Sequence, residues 1–343
     1  MNMVTPPPEL AAITALQSKL VSALRPILPE HALLWEPEDT IPYECDGLAA
    51  YRRMPLAVAL PETEEQVAKI LKICFEMQVP IVPRGSGTGL SGGAMPISQG
   101  LVLSLAKLKK IVSIDPFTRT AVVQPGVRNL AISEAVAHLG LYYAPDPSSQ
   151  IACSIGGNVN ENSGGVHCLK YGLTLHNVLK VRGILMNGEI VEFGSLAPDS
   201  PGLDLLAIVM GSEGMLAVVT EVTVKLIAKP KLARVIMASF DDIEKGADAV
   251  AAIIAAGIIP AGLEMMDKAT TRAVEEFVHA GYDLEAETIL LCESDGTPEE
   301  VAEEIERMTK VLEQAGASGI QISQNEAERL KFWSGRKNAF PAA

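Results

Sequence analysis

Residues 83–93 read PRGSGTGLSGG, and within them Gly87, Gly89 and Gly92 spell G-x-G-x-x-G, the formal fingerprint of a nucleotide-binding turn. The dinucleotide-binding form of that turn needs a strand before it, a helix opening at once after it, and an acidic residue about 20 positions on. The preceding VPIVP suits a short strand, but the chain then runs GAMPISQGLVLSL, where Pro96 and Gly100 interrupt any helical period. Asp115 lies at a permissive distance, yet it sits in IVSIDP, which reads as a strand of another unit. A bland surface turn is the remaining alternative, and glycine density argues against it. Gly85, Gly87, Gly89, Gly92 and Gly93 alternate with Ser86, Thr88 and Ser91, so successive backbone N–H groups can converge on an anion with hydroxyls as extra donors. The stretch reads as a phosphate cradle built from loop rather than from a helix end.

The chain around it has 343 residues, 48% apolar and 20% charged, which is enough for two globular domains. A net charge of −14 disfavours nucleic acid or an anionic membrane as partner, so any anion must be bound locally. The opening MNMVTPPPELAAIT has neither a basic n-region nor an apolar h-region, which predicts a cytoplasmic protein. Five cysteines, with no C-x-x-C pair, read as scattered thiols rather than a disulfide framework or metal site.

A helix is expected over residues 9 to 25. PLAVALP then reads as a strand and TEEQVAKILKICFEMQ as a helix capped by Thr63, with Val67, Ile70, Leu71, Cys74 and Phe75 on one face. VPIVP returns as a strand, giving β-α-β with the glycine loop at its carboxyl end, a place where ligands bind in α/β sheets. LVLSL, IVSID and TAVVQPGV are short β pieces, and RNLAISEAVAHLG is a helix with His138 as a helix-end cation. The segments YAPDPSSQ and CSIGGNVNENSGG carry so much Gly, Asn, Ser and Pro that they read as two binding loops without regular structure. A hairpin turning at Asn187–Gly188 follows, then a Gly-rich turn feeding the strand in MGSEGMLAVVTEVTVKLIAKP. The expected division is an N-terminal helical segment 1–53, a domain 54–230 and a domain 231–343. The last alternates strand and helix and is expected to lay its helices on one face of a sheet. After Pro298, Val301, Ile305, Met308 and Leu312 form an apolar stripe, while Glu299, Glu303 and Glu306 face water.

Taken together, PRGSGTGLSGG, PDPSSQIACSIGGNVNENSGG and GSEGMLAVVTEVTVKL resemble, in order and content, the FAD-binding domain of vanillyl-alcohol oxidase type flavoproteins. The branch resembled is that of the FAD-linked 2-hydroxyacid dehydrogenases, over essentially the whole chain. The resemblance implies an α+β fold: a two-part FAD-binding domain of PCMH type, then an α/β cap domain that binds substrate. It implies that Arg84, Gly85, Ser86, Gly87, Thr88 and Gly89 serve the FAD pyrophosphate. Asp146, Pro147, Ser148, Ser154, Gly157, Asn158 and Asn162 fall where the family lines the flavin and ribityl region, and Glu213, Gly214 and Val219 where it meets the adenosine portion. Some relatives attach FAD covalently through a His, but the first loop has Thr88 and no His, so non-covalent FAD is expected. His167, in GGVHCLKYG, is the imidazole nearest a flavin loop in sequence and reads as structural.

The resemblance also implies oxidation of a small 2-hydroxyacid, glycolate to glyoxylate before D-lactate or D-2-hydroxyglutarate. The setting it implies is a multi-subunit dehydrogenase with a second flavin-type subunit and an iron–sulfur subunit, any membrane association being peripheral and through these partners. A non-catalytic FAD-binding subunit and a carbohydrate or alcohol oxidase are the other readings. Arg336, in LKFWSGRKNAF, resembles the W-x-x-R position that clamps the substrate carboxylate. The family's divalent-metal segment would lie beyond Ala343, so the chain reads as truncated at its C-terminus, with no metal ligands of its own and turnover weak or absent.

Overall fold

The computed structural model describes residues 8–197 and 202–342. They form two compact units. The first comprises residues up to Tyr143, Ser149–Ser163 and Leu173–Ile227; the second comprises Ala144–Ser148, Gly164–Gly172 and the chain from Ala228 onward.

In the first unit a four-stranded sheet runs in the order Leu33–Leu34, Ala57–Ala59, Leu101–Ser104, Ile81–Arg84. The last three strands are parallel, so the β-α-β unit forms, with LVLS inserted between its two strands. Every residue of Leu101–Ser104 is buried, as expected of the apolar run of a central parallel strand. Its helix, Glu64–Met77, starts in a capping box: Thr63 accepts from the Gln66 N–H, and the Gln66 side chain accepts from the Thr63 N–H. Val67, Ile70, Leu71 and Cys74 are buried, but Phe75 is 52% exposed, because it lies at the edge of the stripe rather than on it.

A second, antiparallel sheet runs Ile111–Asp115, Thr120–Val123, Val218–Lys225, Val178–Ile184, Ile190–Gly194. Its last two strands are the hairpin turning at Asn187–Gly188, with Gly188 at φ +85°. Helix Asn129–Val136 packs beside it, with Ile132 and Val136 in the same core as Val181, Val219 and Val222.

One expectation fails here. CSIGGNVNENSGG is not all loop: Ile155–Glu161 is an α-helix, ending at Asn162 in the left-handed conformation. Burial of Ile155 and Val159 outweighs the poor helix propensity of Gly and Asn. Gly156 is needed because a Cβ there would lie 2.6 Å from the Pro125 ring.

The second unit is a four-stranded antiparallel sheet ordered Gly262–Asp267, Thr288–Gly296, Leu232–Phe240, Gly319–Ile322. Helices Ile243–Ala255 and Pro298–Gln314 cover one face, the latter through Val301, Ile305, Met308 and Leu312. Helices Lys268–Val278 and Glu326–Ala342 cover the other, packing Val274, Phe332 and Trp333 on Val235, Met237, Ile289 and Leu291. The expectation of helices on one face is therefore corrected. Thr288–Asp295 is buried at every position, so neither face of that strand can meet water.

Candidate functional site

Three loops of the first unit come together. Gly85, the first glycine of residues 83–93, lies so near Ser154 that a Cβ would sit 2.2 Å from the Ser154 Oγ. Gly214, at φ +74°, would place a Cβ 2.9 Å from the Pro83 ring. Glu213 donates its N–H to the Asn160 carbonyl (2.8 Å) and Gly211 to the Val159 carbonyl (2.9 Å). Residues 83–93, 154–163 and 211–214 thus share one backbone-lined site.

The turn itself is built on Arg84. Its guanidinium is buried, donates through Nη1 to the Cys45 carbonyl at 2.6 Å, and stacks over Tyr43 with its Cζ 5.7 Å from the ring centroid. Gly87 wraps round it at φ +70°, where a Cβ would lie 2.2 Å from Nη2. Arg84 therefore shapes the loop from inside. Ser86 is exposed, Thr88 is half-buried, and a Cβ on Gly89 would meet nothing nearer than Glu161 at 3.8 Å.

Of the polar residues expected nearby, Asn158 and Asn162 are already engaged within the protein. Asn158 accepts from Asn129 (3.0 Å) and donates to Cys153 and Ser163, and Asn162 accepts from the Leu175 N–H at 2.9 Å. A Cβ on Gly157 would lie 3.4 Å from the Ser154 Oγ. Val219 is fully buried in the apolar core behind the loops. By contrast, Ser154 Oγ, Asn160 Oδ1 and Ser212 Oγ are buried with no partner among the described residues. Orphan polar atoms beside glycine backbone are what a polar ligand would satisfy, so the residues present fit an FAD. Glu161, near Gly93, has its carboxyl pushed up by burial and by the Glu213 and Asp46 carboxylates, toward the neutral form. No motif flagged it.

Asp146, Pro147 and Ser148 belong instead to the second unit. There Asp146 accepts from His167 through Nδ1 (2.7 Å) and through the backbone N–H (3.2 Å). The Nε2 of His167 reaches Glu293 at 3.1 Å. Glu293, 2% exposed, also takes Arg329 Nη1 (2.9 Å) and the Trp333 indole N–H. Beside them Asp295 takes Lys170 at 2.6 Å and the Tyr171 hydroxyl at 2.7 Å. Gly262 is cross-strand from Glu293 and clears the ground, since a Cβ there would lie 2.7 Å from Val166 and 3.2 Å from the Trp333 ring.

Burial alone would lower the pKa of His167, but its two carboxylate partners reverse that and raise it to about 10. Burial would raise Glu293, and His167, Arg329 and Trp333 hold it below the usual carboxylate value. Both ring nitrogens of His167 are hydrogen-bonded to carboxylates, so the imidazole ties Asp146 to strand Thr288–Gly296. Among the described residues no group of three or more His, Cys, Asp or Glu could hold a metal ion. Arg336, on the same helix as Trp333, donates through Nε to Glu264 at 2.6 Å. The sequence did carry one signal for these carboxylates, two acids at the end of the otherwise apolar strand TILLCESDG.

Residues 55–194 match the model of the FAD binding domain, and residues 229–343 that of the C-terminal domain of FAD linked oxidases. A D-lactate dehydrogenase of Anaerostipes hadrus is 32% identical over 93% of this chain and 68% of its own length. The chain belongs to the FAD-linked oxidases, flavoproteins with these two domains in this order, and FAD is its cofactor. The glycolate oxidase subunit GlcD of Escherichia coli (strain K12) is 60% identical over 95% of this chain. That of Bacillus subtilis (strain 168) is 42% identical over 88%. The chain spans 65% and 64% of the lengths of these two, just under two thirds. The p-cresol methylhydroxylase structure shares the fold at a TM-score of 0.79, with 20% identity over 93% of this chain and 69% of that one.

Proposed function

We propose that this chain is the FAD-bearing portion of a 2-hydroxyacid dehydrogenase that oxidises glycolate to glyoxylate, with FAD held non-covalently. The observation that carries the cofactor half is the convergence of three glycine-bearing loops on orphan buried hydroxyls. The substrate half is supported by Arg336 in its W-x-x-R setting and by the 60% identity to a glycolate oxidase subunit.

When bound, FAD supplies the two-electron acceptor such an oxidation needs. In this reading the backbone from Arg84 to Gly89 donates to the pyrophosphate. Ser154, Asn160 and Ser212 would supply the hydrogen-bonding atoms that burial has left unpaired. Asp146, Pro147 and Ser148 are read as lining the flavin, and Glu213 and Gly214 as meeting the adenosine portion. Burial and the Glu213 and Asp46 carboxylates raise the Glu161 pKa, so this carboxyl gives up its charge more readily than an ordinary glutamate beside a site that must take an anion. Arg336 would bind the substrate carboxylate through its terminal nitrogens while Glu264 holds Nε. Since glycolate oxidase subunits are subunits, partners are part of the proposal: a second flavin-type subunit and an iron–sulfur subunit, in the cytoplasm.

A substrate panel tests it. The FAD-loaded protein, given glycolate, D-lactate and D-2-hydroxyglutarate with an artificial electron acceptor, should show its highest kcat/KM with glycolate, and Arg336→Gln should raise KM for all three. A preference for D-2-hydroxyglutarate, or an unchanged KM in Arg336→Gln, contradicts it.

A further inference from the structure

Helix Glu326–Ala342 presents two arginines seven residues apart, hence on one face, and each meets the sheet through a strand carboxylate. Arg329 is the internal precedent. Its Nε and Nη2 hold Glu326 at 2.7 and 2.8 Å while Nη1 holds Glu293 at 2.9 Å, so one guanidinium takes two carboxylates. Arg336 begins the same arrangement, with Nε on Glu264 at 2.6 Å. Among the described residues neither of its terminal nitrogens has a protein partner. It has a place for one more carboxylate.

The two sites differ in charge. At Arg329 the second carboxylate is balanced, because Glu293 is also held by His167. Glu264 has Arg336 as its one ion-pair partner among the described residues. A substrate carboxylate docking on Arg336 therefore leaves the group with one net negative charge, and a second substrate carboxylate would add repulsion against Glu264. Salt screens such repulsion over about 8 Å at physiological ionic strength, so the effect is strongest for the shortest dicarboxylic acids.

We propose that Glu264 is a specificity-determining residue: it holds Arg336 by one edge and restricts the site to 2-hydroxyacids bearing a single carboxylate. This rests on the reading of Arg336 as the carboxylate clamp. Glu264 sits on strand Gly262–Asp267, paired with Leu291, while Arg336 sits on the helix above. The strand thus fixes the carboxylate whose charge selects among substrates.

The test is calorimetric titration of the FAD-loaded protein with propionate and with succinate, which lack the hydroxyl and cannot be oxidised. The wild-type chain should prefer propionate. Glu264→Gln keeps an acceptor for Nε but removes the charge, and should narrow that preference about tenfold through tighter succinate binding. Glu264→Asp keeps the charge and should keep the preference, and a thermal melt matching the wild type shows that each variant is folded. An unchanged propionate-to-succinate ratio in folded Glu264→Gln overturns the proposal even if Arg336→Gln weakens propionate, in which case the clamp itself stands. Unaltered propionate binding in Arg336→Gln overturns the clamp reading and this inference with it.

Discussion

In the first unit the hydroxyls of Ser154 and Ser212 and the amide oxygen of Asn160 are buried without partners among the described residues, whereas in the second unit Asp146, His167, Glu293 and Arg329 form an unbroken chain of paired charges. Both regions bury polar groups, and the difference lies in what completes them. A closed ion network is completed by the protein itself and serves to fasten segment 164–172 and helix Glu326–Ala342 to the sheet. An open set of hydroxyls beside glycine backbone is completed only by a ligand. Substitutions should therefore split cleanly, stability responding in one region and FAD affinity in the other.

The largest effect is expected at Glu293. Glu293→Ala leaves Arg329 and His167 facing each other with no anion between them, and removing one partner of a buried ion pair costs about 3–5 kcal/mol. Urea unfolding should register that loss without FAD present. A cost below 1 kcal/mol would mean that the network does not fasten the unit.

Next comes pH. The folded pKa of His167, about 10, lies above that of free imidazole, so its stabilisation is complete below roughly pH 6.5 and is lost as pH rises through about 10. Thermal melts across that window should fall for the wild-type chain and flatten in His167→Gln. Equal slopes for the two would remove His167 from the network.

Gly87→Val sharpens the other side of the comparison. It puts a β-branched residue at φ +70° and drives its Cβ into the Arg84 guanidinium, so the cradle must open. FAD affinity should drop more than tenfold by fluorescence titration. The smallest effect belongs to Ser154→Ala. Deleting an orphan buried hydroxyl should leave stability unchanged or raised, while FAD affinity falls roughly tenfold, the value of one hydrogen bond. A fall in apo-protein stability as large as that of Glu293→Ala would erase the distinction.

What the sequence disclosed was local. The Thr63 cap, the Asn187–Gly188 turn and the Val301–Leu312 stripe each lie within one element, where neighbouring residues decide the conformation. Helix Ile155–Glu161 was hidden because its glycines and asparagines argue for loop, and only the burial of Ile155 and Val159 overrules them. The three loops could be aligned with a family by their content, but that Gly85 abuts Ser154 is set by packing between residues 69 positions apart in the chain. The Glu293 network was further out of reach. It is assembled from residues 146, 167, 293 and 329, and a lone His in GGVHCLKYG gives no sign of which carboxylates it will meet.

The central claim is that the loop at residues 83–93 belongs to a working, non-covalent FAD site. The visible absorption spectrum of the purified chain, supplied with FAD, desalted, and then precipitated with acid, tests it most directly. The account predicts a flavin spectrum that stays with the protein through desalting and passes into the supernatant on precipitation. A colourless protein after desalting would contradict the site, and a flavin retained in the acid pellet would contradict its non-covalent character.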